Sequence, residues 1–292
     1  MAAEEGAPYL APAKLNLMLR VVGRRKDGYH LLQTVFQFLD HGDVLRFISM
    51  PGRMVRRLEG AAEVPPESDL VIRAARLLQD ACGVQEGVGI FVEKRLPMGG
   101  GLGGGSSDAA TTLLVLNQLL GLGLTLGELA ELGLALGADI PVFVRGWAAW
   151  AEGVGEQLTP LPDLPASWYV VLHPGVSVAT GRIFTDPELT RSHSPITIRD
   201  FLDGVQDNTL QVLVVARYPA VADALAWLAG RGVEAPRLTG SGACVFGGVG
   251  SREIAESIAR DVPPGWTAFA AQGINRHPLH KQLGLEQDPV FK

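Results

Sequence analysis

The chain has 292 residues, 47% of them hydrophobic and 19% charged, enough apolar surface for two domains of ordinary size and a balance that excludes a largely disordered polymer. A formal net charge of -6 excludes a non-specific grip on nucleic acid or on an anionic membrane, because both require a basic surface. Two cysteines, Cys82 and Cys244, stand far apart without a CxxC or a His-rich neighbour, so reduced thiols in a cytoplasm are expected rather than a zinc site or a disulfide scaffold.

The acidic start, Met1 to Glu5, lacks the positive charge and apolar stretch of an export signal. Ala11 to Val22 reads as a strand with Leu15, Leu17 and Leu19 on one face and Lys14 and Asn16 on the other. After a turn at Gly23 to Gly28 come Tyr29 and His30, an apolar run through Phe38 and another from Val44 to Ile48, giving a strand-rich opening. Ser68-Asp69 caps a helix carrying Leu70, Ala74, Leu77 and Leu78, and Cys82-Gly83 ends it. Val88, Ile90 and Val92 alternate as a strand, Pro97 to Ser107 is a glycine-dense loop, and Ala109 to Leu120 has helical composition.

Thr125 and Glu128 form a capping box for a helix with Leu129, Leu132 and Leu136, stopped at Gly137. The most membrane-like stretch, Leu119 to Val144, is interrupted by glycines, Pro141, Glu128, Glu131 and Asp139, which excludes a transmembrane helix. Pro160, Pro162 and Pro165 mark Gly155 to Ser167 as a connection, and a domain boundary is placed near Leu158, giving domains 1–158 and 159–292. Beyond it follow a strand at Trp168 to His173, an irregular charged stretch at Asp186 to Asp200, a helix at Pro219 to Gly230 and a glycine turn, Thr239 to Gly242, before strand-like Ala243 to Gly247. From about His277 a loosely held tail is expected.

The stretch Pro97 to Asp108 carries the chemistry most plainly. Its six glycines remove the Cβ atoms that would keep a ligand from the backbone, and the helix after it directs free N–H groups at an anion, an arrangement suited to phosphate. Gly99, Gly101 and Gly104 fit GxGxxG, yet no acidic residue ends a second strand some 20 positions on, and Gly105-Ser106-Ser107 lacks the lysine of a P-loop. Asp139, between a helix stop and Pro141 that holds Ile140 extended, serves either as a cap or as an aimed general base. Lys14, Tyr29, His30 and Phe184, taken singly, have ordinary readings as solvated or core residues; Lys14, Asp139 and a phosphate loop together make a base, a cation and a nucleotide cradle.

Three segments in order, Ala13-Lys-Leu-Asn-Leu17, Pro97 to Ala109, and Leu238-Thr-Gly-Ser-Gly-Ala-Cys-Val-Phe246, resemble the motifs of the GHMP kinases. The segments at Ala11, Arg25-Lys-Asp-Gly-Tyr-His-Leu31, Leu136 to Phe143 and Ala151 to Glu156 extend the resemblance from about Ala11 to about Leu279, toward the branch acting on a cytidine-diphosphate-linked methylerythritol in isoprenoid precursor synthesis. The resemblance implies a two-domain α+β fold, with an N-terminal ATP-binding domain, a C-terminal ferredoxin-like sandwich and the active site in the cleft between them. It implies ATP with Mg2+, for which no protein ligand is named, and transfer to the substrate's 2-hydroxyl with Asp139 as base and Lys14 as its electrostatic partner. ATP would lie against Lys94, Pro97, Met98, Gly99, Gly100, Gly101, Leu102, Gly103, Gly104, Gly105, Ser106 and Ser107. His30 would read the cytosine edge, Tyr29 and Phe184 would sandwich its ring, and Asn16 and Thr180 would line the pocket.

Asp69 and Asp108 stand where the family commonly has Asn, and Asn208-Thr209 replaces an Asn-Asp pair; a carboxylate cannot donate as an amide does, so a contact from Asp69 to adenine is not carried over. The partner is thus a small molecule, with no nucleic acid and no membrane; monomer and homodimer both stay open. Two alternatives remain: a sister kinase for mevalonate, homoserine or a sugar, which has no use for an aromatic sandwich, and a non-catalytic RNA-binding protein, which net acidity opposes.

Overall fold

A computed structural model describes residues 6–285. In chain order the elements are β1 (Tyr9–Arg24), β2 (His30–Met50), β3 (Val55–Glu59), α1 (Leu70–Cys82), β4 (Gly87–Glu93), α2 (Gly104–Leu119), α3 (Leu126–Leu134), α4 (Ile140–Arg145), β5 (Ala149–Glu152) and β6 (Gln157–Pro160). They continue with β7 (Trp168–His173), α5 (Thr180–Thr185), α6 (Ile198–Leu202), α7 (Gln211–Arg217), α8 (Pro219–Gly230), β8 (Glu234–Leu238), β9 (Val245–Val249), α9 (Arg252–Arg260), β10 (Thr267–Ile274) and α10 (Pro278–Gln282). The class is α+β.

The two apolar runs expected as separate strands are one strand, β2. The antiparallel β1 pairs with it from Arg24↔His30 to Tyr9↔Leu45 and so spans the polar interruption at Asp40 to Asp43. The opposite edge of β2 serves three strands in succession: β5 at Thr34 to Phe36, β10 at Phe38 and Leu39, and β4 at Val44 to Met50. Beyond β2, β10 continues against β7, which pairs β9, which pairs β8. β10 is therefore the strand that joins the sheet of the first half to that of the second.

β1 is buried on both faces, and its side chains divide among three apolar clusters. Leu15, Leu17 and Met18 enter the cluster that holds Trp150, Tyr169 and Phe246, whereas Leu19 and Val21 enter another with Val170, Leu210 and Val245. The expected common face for Leu15, Leu17 and Leu19 fails because a register irregularity between Asn16 and Met18 shifts the alternation by one. The largest cluster seats Phe36, Phe38 and Phe47 of β2 against α1, α2 and α4.

Local chemistry explains the helix ends. Asp69 accepts from the Val71 N–H and Gly83 closes α1 in the left-handed region; Thr125 and Glu128 complete the capping box of α3. Other expectations are corrected. α2 starts at Gly104, so the last glycines of the loop form its first turn. Ile140 is not held extended: Pro141 falls in the first turn of α4, where its missing N–H costs nothing and its fixed φ suits a helix. β6 lies inside the expected connection at 155–167, paired with β5.

The stretch from His277 is not loose as far as 285. Leu279, His277 and His280 are fully buried or nearly so, and Leu279 and Leu283 join the largest cluster; the remainder of that expected tail lies outside the described residues. Among the described residues no single helix is long and apolar enough to cross a membrane.

Candidate active site

Lys14 sits in the middle of β1 and is only 3% exposed. A buried ammonium must be paired and hydrogen-bonded to offset its lost hydration, and this one is. Its Nζ donates to Asn16 Oδ1 at 2.5 Å and to the Gly101 carbonyl at 2.9 Å, lies 3.4 Å from Asp139 Oδ2, and stands 5.5 Å above the Phe36 ring. Asn16 is held in turn: its Nδ2 donates to Thr34 Oγ1 at 2.8 Å and its backbone N–H to Thr239 Oγ1 at 3.0 Å. Asp139, the residue before α4, keeps 34% of its side chain exposed. The pair therefore consists of an immobilised cation and an accessible carboxylate.

The glycine loop borders a cavity of about 520 Å³. Lys94 and the expected loop residues from Pro97 to Ser106 line it, together with Arg57, Ser68, Asp69 and Asp108. Ser107 does not: it is fully buried, its Oγ without a hydrogen-bond partner. α2 has no side-chain cap, so the N–H groups of its first turn are left for an anion, with the helix dipole favouring negative charge there. Gly101 and Gly103 both take positive φ, +76° and +72°, and a Cβ on Gly101 would lie 2.3 Å from the Thr239 carbonyl oxygen. That close approach pins the loop to the turn at 239–244, where Ala243 and Cys244 donate to the carbonyls of Gly99 and Gly100.

Beneath the loop Lys94 bridges two buried carboxylates. It pairs with Asp43 Oδ2 and, at 3.0 Å, with Asp108 Oδ2, while Asp43 Oδ1 accepts the N–H groups of Arg95 and Leu96 at 2.6 and 2.9 Å. Burial opposes the Lys94 charge, yet the carboxylates of Asp108 and Asp43 outweigh it and raise its pKa. Asp108 has the opposite balance: burial first, then repulsion by Asp43, outweigh the attraction of Lys94 and push its carboxyl up to about 7. Asp69 has both oxygens engaged, one by the Val71 N–H and the other by Arg57. Asp69 thus has a guanidinium partner.

A second cavity, of about 250 Å³, adjoins the first and shares Gly101, Gly103 and Thr180 with it. Lys14, Asn16, Thr34, Phe36, Asp139 and Phe184 line it, with Gly240 and Ser241 of the glycine turn. Thr180 Oγ1 and Ser241 Oγ are hydrogen-bonded at 2.7 Å. Of the aromatic set, Phe184 lines this cavity and His30 packs on it with ring centroids 5.0 Å apart, but neither His30 nor Tyr29 belongs to the lining, and Tyr29 is 64% exposed. The structure thus gathers Lys14, Asn16, Asp139, Thr180 and Phe184 around one space, sets His30 beside it, and leaves Tyr29 in solvent.

Sequence reasoning missed Thr34, Asp43, Arg57 and Ser241. Thr34 and Asp43 belong to β2, whose contacts are fixed by strand register rather than by any local pattern, and Arg57 acts through a pair 12 residues away. Only Ser241 carried a signal, the glycine turn around it.

Residues 69–146 match the GHMP kinases N terminal domain. The chain is 51% identical over 284 residues, 95% of this chain and 94% of the relative, to the 4-diphosphocytidyl-2-C-methyl-D-erythritol kinase of Chromohalobacter salexigens. It is 54% identical over 273 residues, 94% of this chain and 96% of the relative, to the enzyme of that name from Pseudomonas aeruginosa. A crystal structure of 4-(cytidine 5'-diphospho)-2C-methyl-D-erythritol kinase superposes with a TM-score of 0.81 at 33% identity, covering 92% of this chain and 100% of that one. With identity above half sustained across almost the whole of each partner, the chain belongs to the 4-diphosphocytidyl-2-C-methyl-D-erythritol kinases, a branch of the GHMP kinases.

Proposed function

We propose that the chain transfers the γ-phosphoryl group of ATP to the 2-hydroxyl of 4-(cytidine 5'-diphospho)-2-C-methyl-D-erythritol, in the methylerythritol phosphate route to isoprenoid precursors. The observation that carries this reading is the shared wall. A cavity bordered by a glycine loop and a helix N-terminus meets a second cavity at Gly101 and Gly103, and the Lys14–Asp139 pair stands at that junction. Two substrates, one in each space, would meet there.

The transfer forms a bond between the acceptor oxygen and the γ-phosphorus and breaks the bond to the bridging oxygen, which leaves on ADP with the electron pair. The hydroxyl proton goes to Asp139. Because the transition state of phosphoryl transfer is loose, charge on the acceptor oxygen develops late and positioning outweighs base strength. A partly exposed carboxylate on the cavity wall is sufficient. Lys14, anchored by Asn16 and Gly101, offsets the negative charge that accumulates between acceptor and phosphate without having to reorganise. The free N–H groups at the start of α2 hold the leaving phosphates.

Mg2+ fits the site. It is a hard cation that retains waters and binds through one or two carboxylates together with substrate phosphates, and the groups bordering the two spaces, Asp139, Ser106 and Thr180, are oxygen donors. When bound it would neutralise phosphate charge. His30, Tyr29 and Phe184 form the proposed cytosine subsite; Tyr29 in its exposed position would have to fold over the ring on binding. A cytoplasmic location is part of the same reading, supported by the two free cysteines.

The test is an ADP-release assay with ATP and Mg2+, comparing this acceptor with mevalonate, homoserine and galactose. Turnover confined to the cytidylyl acceptor is the expected result, and turnover with another alcohol alone would overturn the assignment of substrate.

A further inference from the structure

Arg191 lies in the irregular stretch after α5, yet its three side-chain nitrogens are all engaged, in four hydrogen bonds. Nη1 donates to the Leu189 carbonyl at 3.0 Å, and Nη2 to those of Phe184 at 3.0 Å and Asp186 at 2.7 Å. These three bonds wrap residues 184–191 around the guanidinium. The fourth leaves the loop: Nε donates to Nε2 of His30, at the start of β2, at 3.0 Å.

A guanidinium has donors only and is always charged, so the His30 nitrogen that meets it must present a lone pair. A neutral imidazole has one proton, and which nitrogen holds it is set by the bond the other makes. His30 therefore carries its proton on Nδ1. Burial, together with the Arg191 and Arg24 cations, lowers its pKa and keeps the ring neutral. Among the described residues no protein group accepts from Nδ1, so this donor is left for a ligand, on a ring packed against Phe184 of the acceptor cavity.

We propose that Arg191 is a positioning residue that fixes the tautomer of His30 and thereby sets the preference for cytosine over uracil in the acceptor. This rests on the proposed assignment of His30 to the nucleobase edge. Cytosine presents acceptors at N3 and O2, whereas uracil carries a hydrogen on N3. A fixed Nδ1–H complements the first and opposes the second, and a site built around one hydrogen bond rejects a mismatched partner far better than shape alone does. The other tautomer would reverse the match at N3.

The experiment combines nitrogen-15 NMR of the imidazoles with kinetics. The His30 signals are assigned by their loss in H30Q. Wild-type protein at pH 7 is expected to show a neutral His30 protonated on Nδ1, and R191Q to shift it toward the Nε2-protonated form. The ratio of kcat/KM for the cytidylyl acceptor to that for its uridylyl analogue should fall roughly ten-fold or more in R191Q, chiefly through KM for the cytidylyl acceptor, with KM for ATP unchanged. R191K, which keeps a cationic donor, should recover part of the preference.

A wild-type His30 protonated on Nε2, or an imidazolium, overturns the proposal, and this measurement needs neither a folded Arg191 variant nor turnover. So does an unchanged base preference in R191Q once the tautomer has shifted. Absence of turnover by wild-type protein with either acceptor would count instead against the proposed reaction, because the tautomer is read independently of it.

Discussion

The Lys14 ammonium lies 3.4 Å from the Asp139 carboxylate but 2.9 Å from the Gly101 carbonyl and 2.5 Å from Asn16 Oδ1. The cation is therefore anchored by β1 and the glycine loop, and Asp139 is its most accessible neighbour. Replacing Asp139 by Asn removes the proton acceptor and keeps the shape. We expect kcat to fall by about 10²- to 10⁴-fold, the usual worth of a general base, with calorimetric binding of ATP little changed. A D139N protein that retains full turnover would remove Asp139 from the mechanism.

The same anchoring makes the loop intolerant of side chains at one position and tolerant at another. A Cβ on Gly101 meets the Thr239 carbonyl oxygen at 2.3 Å and demands positive φ, whereas one on Gly105, inside α2, comes no closer than 3.4 Å to Leu70. G101A should lose about 1–3 kcal/mol of stability through backbone strain and most of its ATP affinity. G105A should be as stable as wild type or more so, since Ala is favoured over Gly in a helix by about 0.5–1 kcal/mol. Thermal unfolding of the two variants side by side checks this, and equal melting temperatures would refute the account of how the loop is held.

These positions mark what the sequence alone made legible. Segments whose chemistry is local were readable: the cap at Asp69, the capping box at Thr125, the glycine loop and strand β7 all depend on neighbours within a few residues. The bulge after Asn16 was not, because it exists only in the pairing of β1 with β2, and a one-residue slip there sends Leu19 to a different core. Asp43 was hidden for the same reason, its partners lying some 50 positions away. Lys14 could be placed on a strand but not known to be buried, and burial is what turns an ordinary lysine into one that must be paired.

Asp43 joins the end of β4 to the glycine loop through three contacts: the N–H groups of Arg95 and Leu96, and Lys94. D43N keeps a hydrogen-bond acceptor and loses the charge. We expect it to raise KM for ATP several-fold with kcat nearly unchanged, because Lys94 and the loop entrance move while the Lys14–Asp139 pair does not. Removing the negative charge of Asp43 also removes one of the causes that push the Asp108 carboxyl up, so the Asp108 pKa should drop below its value of about 7 in this variant. Titration of Asp108 by carbon-13 NMR reads this directly, and an unmoved or raised value would show that the two carboxylates do not share Lys94.

The last prediction concerns acid stability and the C-terminal helix. His277 and His280 are buried side by side, ring centroids 5.8 Å apart. His277 accepts the Leu279 N–H at Nδ1, and His280 Nε2 meets the Val144 carbonyl at 2.9 Å. Burial, then the neighbouring His280, hold the His277 pKa well below the ordinary value; burial, with Arg276 also opposing the charge, lowers that of His280 to about 4. Both folded values lie below the unfolded 6.5, so as pH falls the unfolded chain takes up these protons first.

Their contribution is thus complete above pH 6.5 and is lost progressively below it, down to about pH 4 for His280. Each histidine costs at most about 1.4 kcal/mol per pH unit inside that window. His277→Asn keeps a side-chain acceptor for the start of α10 and removes one titrating group. The melting temperature of H277N should therefore fall less than that of wild type between pH 7.5 and pH 5.5, and parallel curves for the two proteins would show that His277 is not held neutral by the fold.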